Sequence, residues 1–198
     1  MPALGVRLTL RIKAPHLAVR SLFAEATPQG ATLCCKHLEK GFEMADLQAA
    51  AKRVARFREV MAQRGYDAVV LRHNPDLRWL TDAERVFDFE QAHTAFITQD
   101  ELFMHTDSRY YNTFLERLGA DSPWKFDQEV ATPTEWVAAH IAEARARVVA
   151  IEDTVDLAFF DGLEQALRDR SVAALLPRMH GDIAELRIVK DPAEIELM

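Results

Sequence analysis

The chain has 198 residues, 49% hydrophobic and 28% charged, with a formal net charge of −7. That length can bury a core without disulfide staples, and the composition argues against a disordered chain. An acidic balance opposes a nucleic-acid partner, which calls for a basic face, and no stretch reaches the roughly 18 apolar residues of a membrane span. The only cysteines, Cys34 and Cys35, are adjacent; neighbours of this kind build neither a disulfide framework nor a CxxC metal pair. The setting expected from these features is cytoplasmic, with no nucleic acid and no membrane as partner.

Residues 1–43 differ from the rest. They carry six Lys/Arg against three Glu, which leaves a net charge of −10 for residues 44–198. Two readings stand. One is a targeting leader, since the segment is Arg-containing and acid-poor. The other is an upstream extension, because the codons for Glu39–Met44 place a purine-rich AAGG where a bacterial ribosome-binding site would precede Met44. The reading adopted is that Met44 is the start and that residues 1–43 stand outside the fold.

From Met44 the pattern is periodic. Leu47, Ala50, Val54, Phe57 and Met61 fall on one face of a helix, which Asp46 can cap and Gly65 can close. Asp67–Leu71 is an apolar run of strand length. Asn74-Pro75-Asp76 reads as a turn, followed by Leu77, Trp79 and Leu80. Residues 81–92 show no period and read as a long loop with two aromatics, Phe87 and Phe89.

Residues 93–98 and 101–106 flank the pair Gln99-Asp100, the spacing of a hairpin. Ala95, Ile97, Leu102 and Met104 share one face, and Phe96 and Phe103 the other. Both faces are apolar, so the hairpin is expected to be covered on both sides. Asp107 then caps a helix that turns Tyr111, Phe114 or Leu115, and Leu118 inward, and Gly119 stops it. Thr132-Pro133-Thr134-Glu135 is a capping box with Pro at the first helical position. Trp136, Val137, His140, Ile141 and Ala144 follow on one side. Val148–Ile151 reads as a buried strand, Leu157, Phe160, Leu163 and Leu167 as a helix face, and Val172–Leu176 as a last strand before Pro177. This alternation predicts an α/β sandwich with a mixed sheet. Asp191-Pro192 with Glu194 and Glu196 announces one more helix, which reads as the threshold of a further domain.

Candidate chemistry is sparse. His93 and His105 have opposite strand parity, so they face opposite sides of a sheet and cannot share a metal. His140 reads as a core-edge residue and His180 as part of a turn. Asp67, Glu152 and Asp153 superficially offer acidic metal ligands, but Asp67 begins its strand whereas the other two follow theirs. Parallel strands would hold them at opposite ends. The sequence has no HExxH, GxSxG, GxGxxG or phosphate-loop pattern. What remains is the segment Trp79 to His93. It is either a loop tucked over its own core or a lip offered to a substrate or partner, with Trp79, Arg85, Phe87, Phe89 and His93 as substrate-entrance or subunit-contact candidates.

The run LRIVKDPAEIELM, Leu186–Met198, resembles the junction segment of the creatinase, prolidase and aminopeptidase P family. There a Leu-Arg-x-x-Lys-(Asp/Ser)-x-x-Glu-Ile motif joins an N-terminal domain to a catalytic "pita-bread" domain, and Leu186, Arg187, Val189, Lys190, Asp191, Glu194 and Ile195 match it. Gly65-Tyr66-Asp67-Ala68 resembles the family's opening. Asn74 through Thr81 resembles its Asn-x-x-Tyr-Leu-Thr-Gly stretch, with Trp79 in place of Tyr and Asp82 in place of Gly. Asp107-Ser108-Arg109-Tyr110 resembles its Asp-x-Arg-Tyr motif. The resemblance implies a three-layer α/β/α sandwich with a ribonuclease H-like mixed sheet over residues 44–185, with residues 186–198 as linker and start of the catalytic domain. Asp107, Arg109, Tyr110, Leu186, Arg187, Lys190 and Glu194 would be structural. It also implies no catalytic or metal residue in this chain, two divalent ions (manganese, cobalt or zinc) in the catalytic domain, and a homodimer or higher homo-oligomer. The activity implied is that of a metal-dependent Xaa-Pro peptidase; a creatinase-like amidinohydrolase or lyase, or a free-standing binding module, are the alternatives.

Overall fold

A computed structural model of the chain describes residues 44–83, 86, 87, 89–127 and 131–196. The expectation that residues 1–43 stand outside the fold falls on residues outside that set. The described elements are α1 (Leu47–Arg64), β1 (Ala68–Leu71), α2 (Asn74–Thr81), β2 (His93–Thr98), β3 (Leu102–Thr106), α3 (Ser108–Leu118), β4 (Trp124–Asp127), α4 (Pro133–Ala144), β5 (Val149–Ile151), α5 (Leu157–Asp169), α6 (Asp182–Ile188) and α7 (Pro192–Glu196).

The strands form one sheet in the order β4-β3-β2-β1-β5. β2 runs antiparallel to both β1 and β3, whereas β1 pairs parallel with β5 and β3 parallel with β4. Helices cover both faces, because strand alternation sends apolar side chains both ways. Val69, Leu71, Ala95, Ile97 and Met104 pack with Phe57 and Met61 of α1, Leu77 and Leu80 of α2 and Phe114 of α3. Val70, Phe96, Val149 and Ile151 pack with Trp136 and Ile141 of α4 and Phe159 and Leu163 of α5. Phe96 and Ile97, neighbours that point opposite ways, are both fully buried. The two-sided hairpin and the three-layer mixed fold are as expected.

The caps follow the sequence. The Asp46 carboxylate accepts from the N–H groups of Gln48 and Ala49, and Gly65 ends α1 at a positive φ of 72° that suits glycine. Thr132 and Glu135 form the reciprocal capping box of α4.

Three readings need correction. Asn74-Pro75-Asp76 is the first turn of α2, because proline near a helix start loses no hydrogen bond there. The strand expected over Val172–Leu176 is reduced to isolated bridges, Val148–Leu175 and Ile151–Arg178. Pro177 accepts from the Ile151 N–H at 2.8 Å but has no N–H to give back, which breaks the ladder. On α5 the buried face is Phe159, Leu163, Ala166 and Leu167, and Leu157 is exposed. The choice left open on α3 resolves within the expectation: Phe114 is buried and Leu115 exposed. Two further elements, β4 with only four residues and α6, are not announced by the sequence pattern.

Candidate interaction site at the carboxyl end of the sheet

Four of the five strands run the same way, so the carboxyl ends of β1, β3, β4 and β5 meet at one edge with the start of β2. In open α/β sheets this edge is where crevices form and ligands bind. Arg72–Asn74 leave β1 here, Asp107–Arg109 leave β3 and Glu152 leaves β5. The segment between α2 and β2 crosses the same edge.

That segment is anchored before it turns outward. The Thr81 hydroxyl donates to Leu77 O at 2.8 Å and accepts from Ala83 N at 3.2 Å. Ala83, Val86 and Phe87 are buried. The Phe87 ring meets those of His93 and Phe114 edge-on at 5.0 and 5.2 Å, and Arg78 Nη2 donates to Phe87 O at 3.1 Å. Phe89 then stands fully exposed. The return limb is tied by Asn74 Nδ2 to Glu90 O at 2.9 Å, Arg72 Nη2 to Gln91 O at 3.1 Å and Arg109 Nη2 to Glu90 Oε2 at 2.7 Å. An aromatic side chain is thus presented to solvent from a backbone held on both sides. Arg85 lies outside the described residues.

The other candidates are placed differently. His93 has no exposed surface; its Nδ1 is hydrogen-bonded to Thr106 Oγ1 at 2.8 Å, and its ring meets Tyr110 at 4.8 Å. Phe87 and His93 are therefore core residues that support the loop, and the tucked reading holds for this limb. Trp79 is also buried, with its indole N–H donated to Glu194 Oε1 at 3.1 Å. His105 lies on the opposite face of the sheet, against Trp136. His140 is buried among Phe96, Phe103 and Trp136, as a core-edge residue should be.

The Asp107–Arg109–Glu90 chain of ion pairs is exposed. Hydrogen bonds from the Arg109 side chain and N–H hold the Asp107 carboxyl below the usual aspartate range, and Asp107 and Glu90 raise the Arg109 guanidinium in turn. Glu152, just past the end of β5, is buried. Its Oε2 accepts from the N–H groups of Arg72 at 2.8 Å and His73 at 2.7 Å, and Oε1 accepts from the Thr154 hydroxyl at 2.9 Å. Burial nevertheless pushes its carboxyl above the ordinary glutamate value. Asp67 is at the far end of β1, accepting from Arg147 and Val148 N–H, so the acidic trio is split as expected. Arg72 and Glu90 carry no motif that sequence reasoning could detect, and the motif that begins at Asn74 does not reveal its bond to Glu90 O.

The junction residues fold back on the domain. Leu186 packs against the core beside α1 and α2. Arg187 Nη1 meets Asp76 Oδ1 at 2.6 Å, and Lys190 Nζ donates to Arg187 O. Among the described residues no group of three or more His, Cys, Asp or Glu converges to hold a metal ion. The divalent ions implied by resemblance thus find no ligand set among them. Among the same residues no helix is long and apolar enough to cross a membrane.

A family model of the Creatinase/Prolidase N-terminal domain matches residues 53–189. Solved structures share the fold. The aminopeptidase P, Xaa-Pro aminopeptidase from Streptococcus thermophilus aligns with a TM-score of 0.59 at 20% identity, over 70% of this chain and 98% of that one. The N-terminal domain of the cytoplasmic peptidase PepQ from Mycobacterium tuberculosis H37Rv aligns at 0.56 and 20%, over 69% and 98%. The Xaa-Pro dipeptidase from Bacillus anthracis aligns at 0.62 and 19%, over 74% of this chain but 38% of its own length. This chain therefore spans well under half of that enzyme. No curated protein matches.

Proposed function

The chain belongs to the creatinase/prolidase N-terminal domain family, and from that premise we propose that it is the non-catalytic N-terminal domain of a cytoplasmic, metal-dependent Xaa-Pro peptidase of the aminopeptidase P or prolidase type. Its role in that enzyme is to shape a substrate entrance, and it works in a homodimer or higher oligomer joined to its own catalytic domain. The divalent ions belong to the catalytic domain.

The observation that carries the reading is the loop before β2. Phe87 is sunk in the core while Phe89, two residues on, is fully exposed at the carboxyl edge of the sheet. A lone exposed aromatic is ordinary. One held outward by a buried neighbour and three polar ties is built for contact, because its position costs little further ordering when a partner arrives. Beside it Arg109 offers a guanidinium shared between two carboxylates, able to exchange one of them for the terminal carboxylate of a peptide.

The chain by itself should not turn over substrate. It is to be assayed on Xaa-Pro dipeptides and tripeptides with added manganese or cobalt. The expected result is no release of proline above buffer. Turnover that follows the protein through purification would overturn the assignment of catalysis to another domain.

A further inference from the structure

Arg53 is an anomaly on α1. It lies on the inward side of an amphipathic helix, with Val54 and Phe57 beside it, and its side chain is only 10% exposed. A guanidinium placed there must be paired, since an unpaired buried charge is costly. Its nearer partners belong to the next helix: Nη1 donates to Asp82 Oδ1 at 2.8 Å and to Trp79 O at 3.1 Å, both at the end of α2. The remaining partners come from the far end of the chain. Nη2 meets Asp191 Oδ2 at 3.3 Å and Glu194 Oε1 at 3.6 Å.

Glu194 does two jobs at once. Oε2 accepts from Asp191 N at 2.8 Å, while Asp191 Oδ1 accepts from Glu194 N at 2.8 Å, the reciprocal box that starts α7. Its other oxygen, Oε1, takes the Trp79 indole N–H at 3.1 Å and faces Arg53. The carboxylate that begins the helix is therefore the one that ties it to α1 and α2. The Arg53 guanidinium also lies over the Trp79 ring, 5.8 Å from its centroid.

Helix α7 has five residues, far too few to be stable by itself. Its order must come from what holds it. We infer that Arg53, Trp79 and Asp82 form a clamp that grips Asp191 and Glu194 and holds residues 191–196 as a fixed arm, its direction set by α1 and α2. A short segment with few buried contacts is ordinarily free to move. Here the pairs are largely screened from water, which makes them stronger than surface ion pairs, and Arg187–Asp76 adds a second fastening a turn upstream. The inference concerns the described residues alone and stands whether or not the proposed function is correct.

The test is amide hydrogen exchange of the 198-residue chain, read at Glu194 and Ile195, whose N–H groups bond within the arm. The strands β1 and β5 serve as internal reference. Arg53→Gln should speed exchange at Glu194 and Ile195 about tenfold or more, and Trp79→Phe, which keeps an aromatic ring but loses the indole donor, about threefold. Strand protection should hold in both. If Arg53→Gln unfolds the domain, Trp79→Phe alone decides. Unchanged exchange at Glu194 and Ile195 with intact strands would overturn the clamp, as would an arm that exchanges in the unaltered protein as fast as free peptide.

Discussion

Asp67 and Glu152 sit at opposite ends of the paired strands β1 and β5, and each carboxylate accepts two backbone N–H groups from the neighbouring chain segment. Their electrostatics are opposed. At Asp67, which is exposed, the Val148 and Arg147 N–H groups prevail and hold the carboxyl below its ordinary range. At Glu152 burial outweighs the same kind of bond and raises it. The difference shows how the two sheet ends are built. The amino end is finished by a local cap that water can replace. The carboxyl end is finished by a charge sealed beneath Arg72 and His73, so the segments that carry the loop ties start from a rigid base.

Removing each carboxylate should break the comparison unequally. Glu152→Ala strands two N–H groups away from water and should cost about 3 kcal/mol. Asp67→Ala lets solvent take over and should cost about 1 kcal/mol or less. Chemical denaturation of the two variants checks this, and equal losses would mean that the ends are equivalent.

The pH profile sharpens it. A raised folded-state value means that Glu152 contributes most below the unfolded glutamate pKa, and the contribution is lost as pH rises through the folded value. A lowered value means that Asp67 contributes above the unfolded aspartate pKa, and its share is lost as pH falls through the folded value. Glu152→Gln should therefore flatten the loss of stability on the rising side, and Asp67→Asn the loss on the acid side. Melts across that range in the three proteins test both signs.

The fold was legible wherever a long period or a cap was available. Leu47 to Met61 and Thr132 to Glu135 each carry such a signal, and the hairpin declares both its faces through Phe96 and Ile97. Short elements escaped. Asn74-Pro75-Asp76 suits a turn and a helix start equally well, and β4 is too brief for a strand pattern. Val172–Leu176 has strand composition, yet Pro177 breaks the ladder. The candidate site was less legible, because aromatic content does not tell direction. Phe87 and Phe89 look alike in sequence, and only the ring cluster with His93 and Phe114 draws one of them inward. The loop's ties, Arg72, Asn74 and Glu90, come from different elements, and no spacing brings them together.

The central claim is that the loop is fastened at Phe87 so as to present Phe89. It is tested most directly by replacing each with alanine in the Xaa-Pro peptidase proposed above and measuring melting temperature and kcat/KM together. Phe87→Ala empties a core position and should cost about 3 kcal/mol, lowering the melting temperature. Phe89→Ala should leave stability within about 0.5 kcal/mol and lower kcat/KM for Xaa-Pro peptides several-fold. If Phe89→Ala leaves kcat/KM unchanged, the exposed ring contacts no substrate and the entrance role fails.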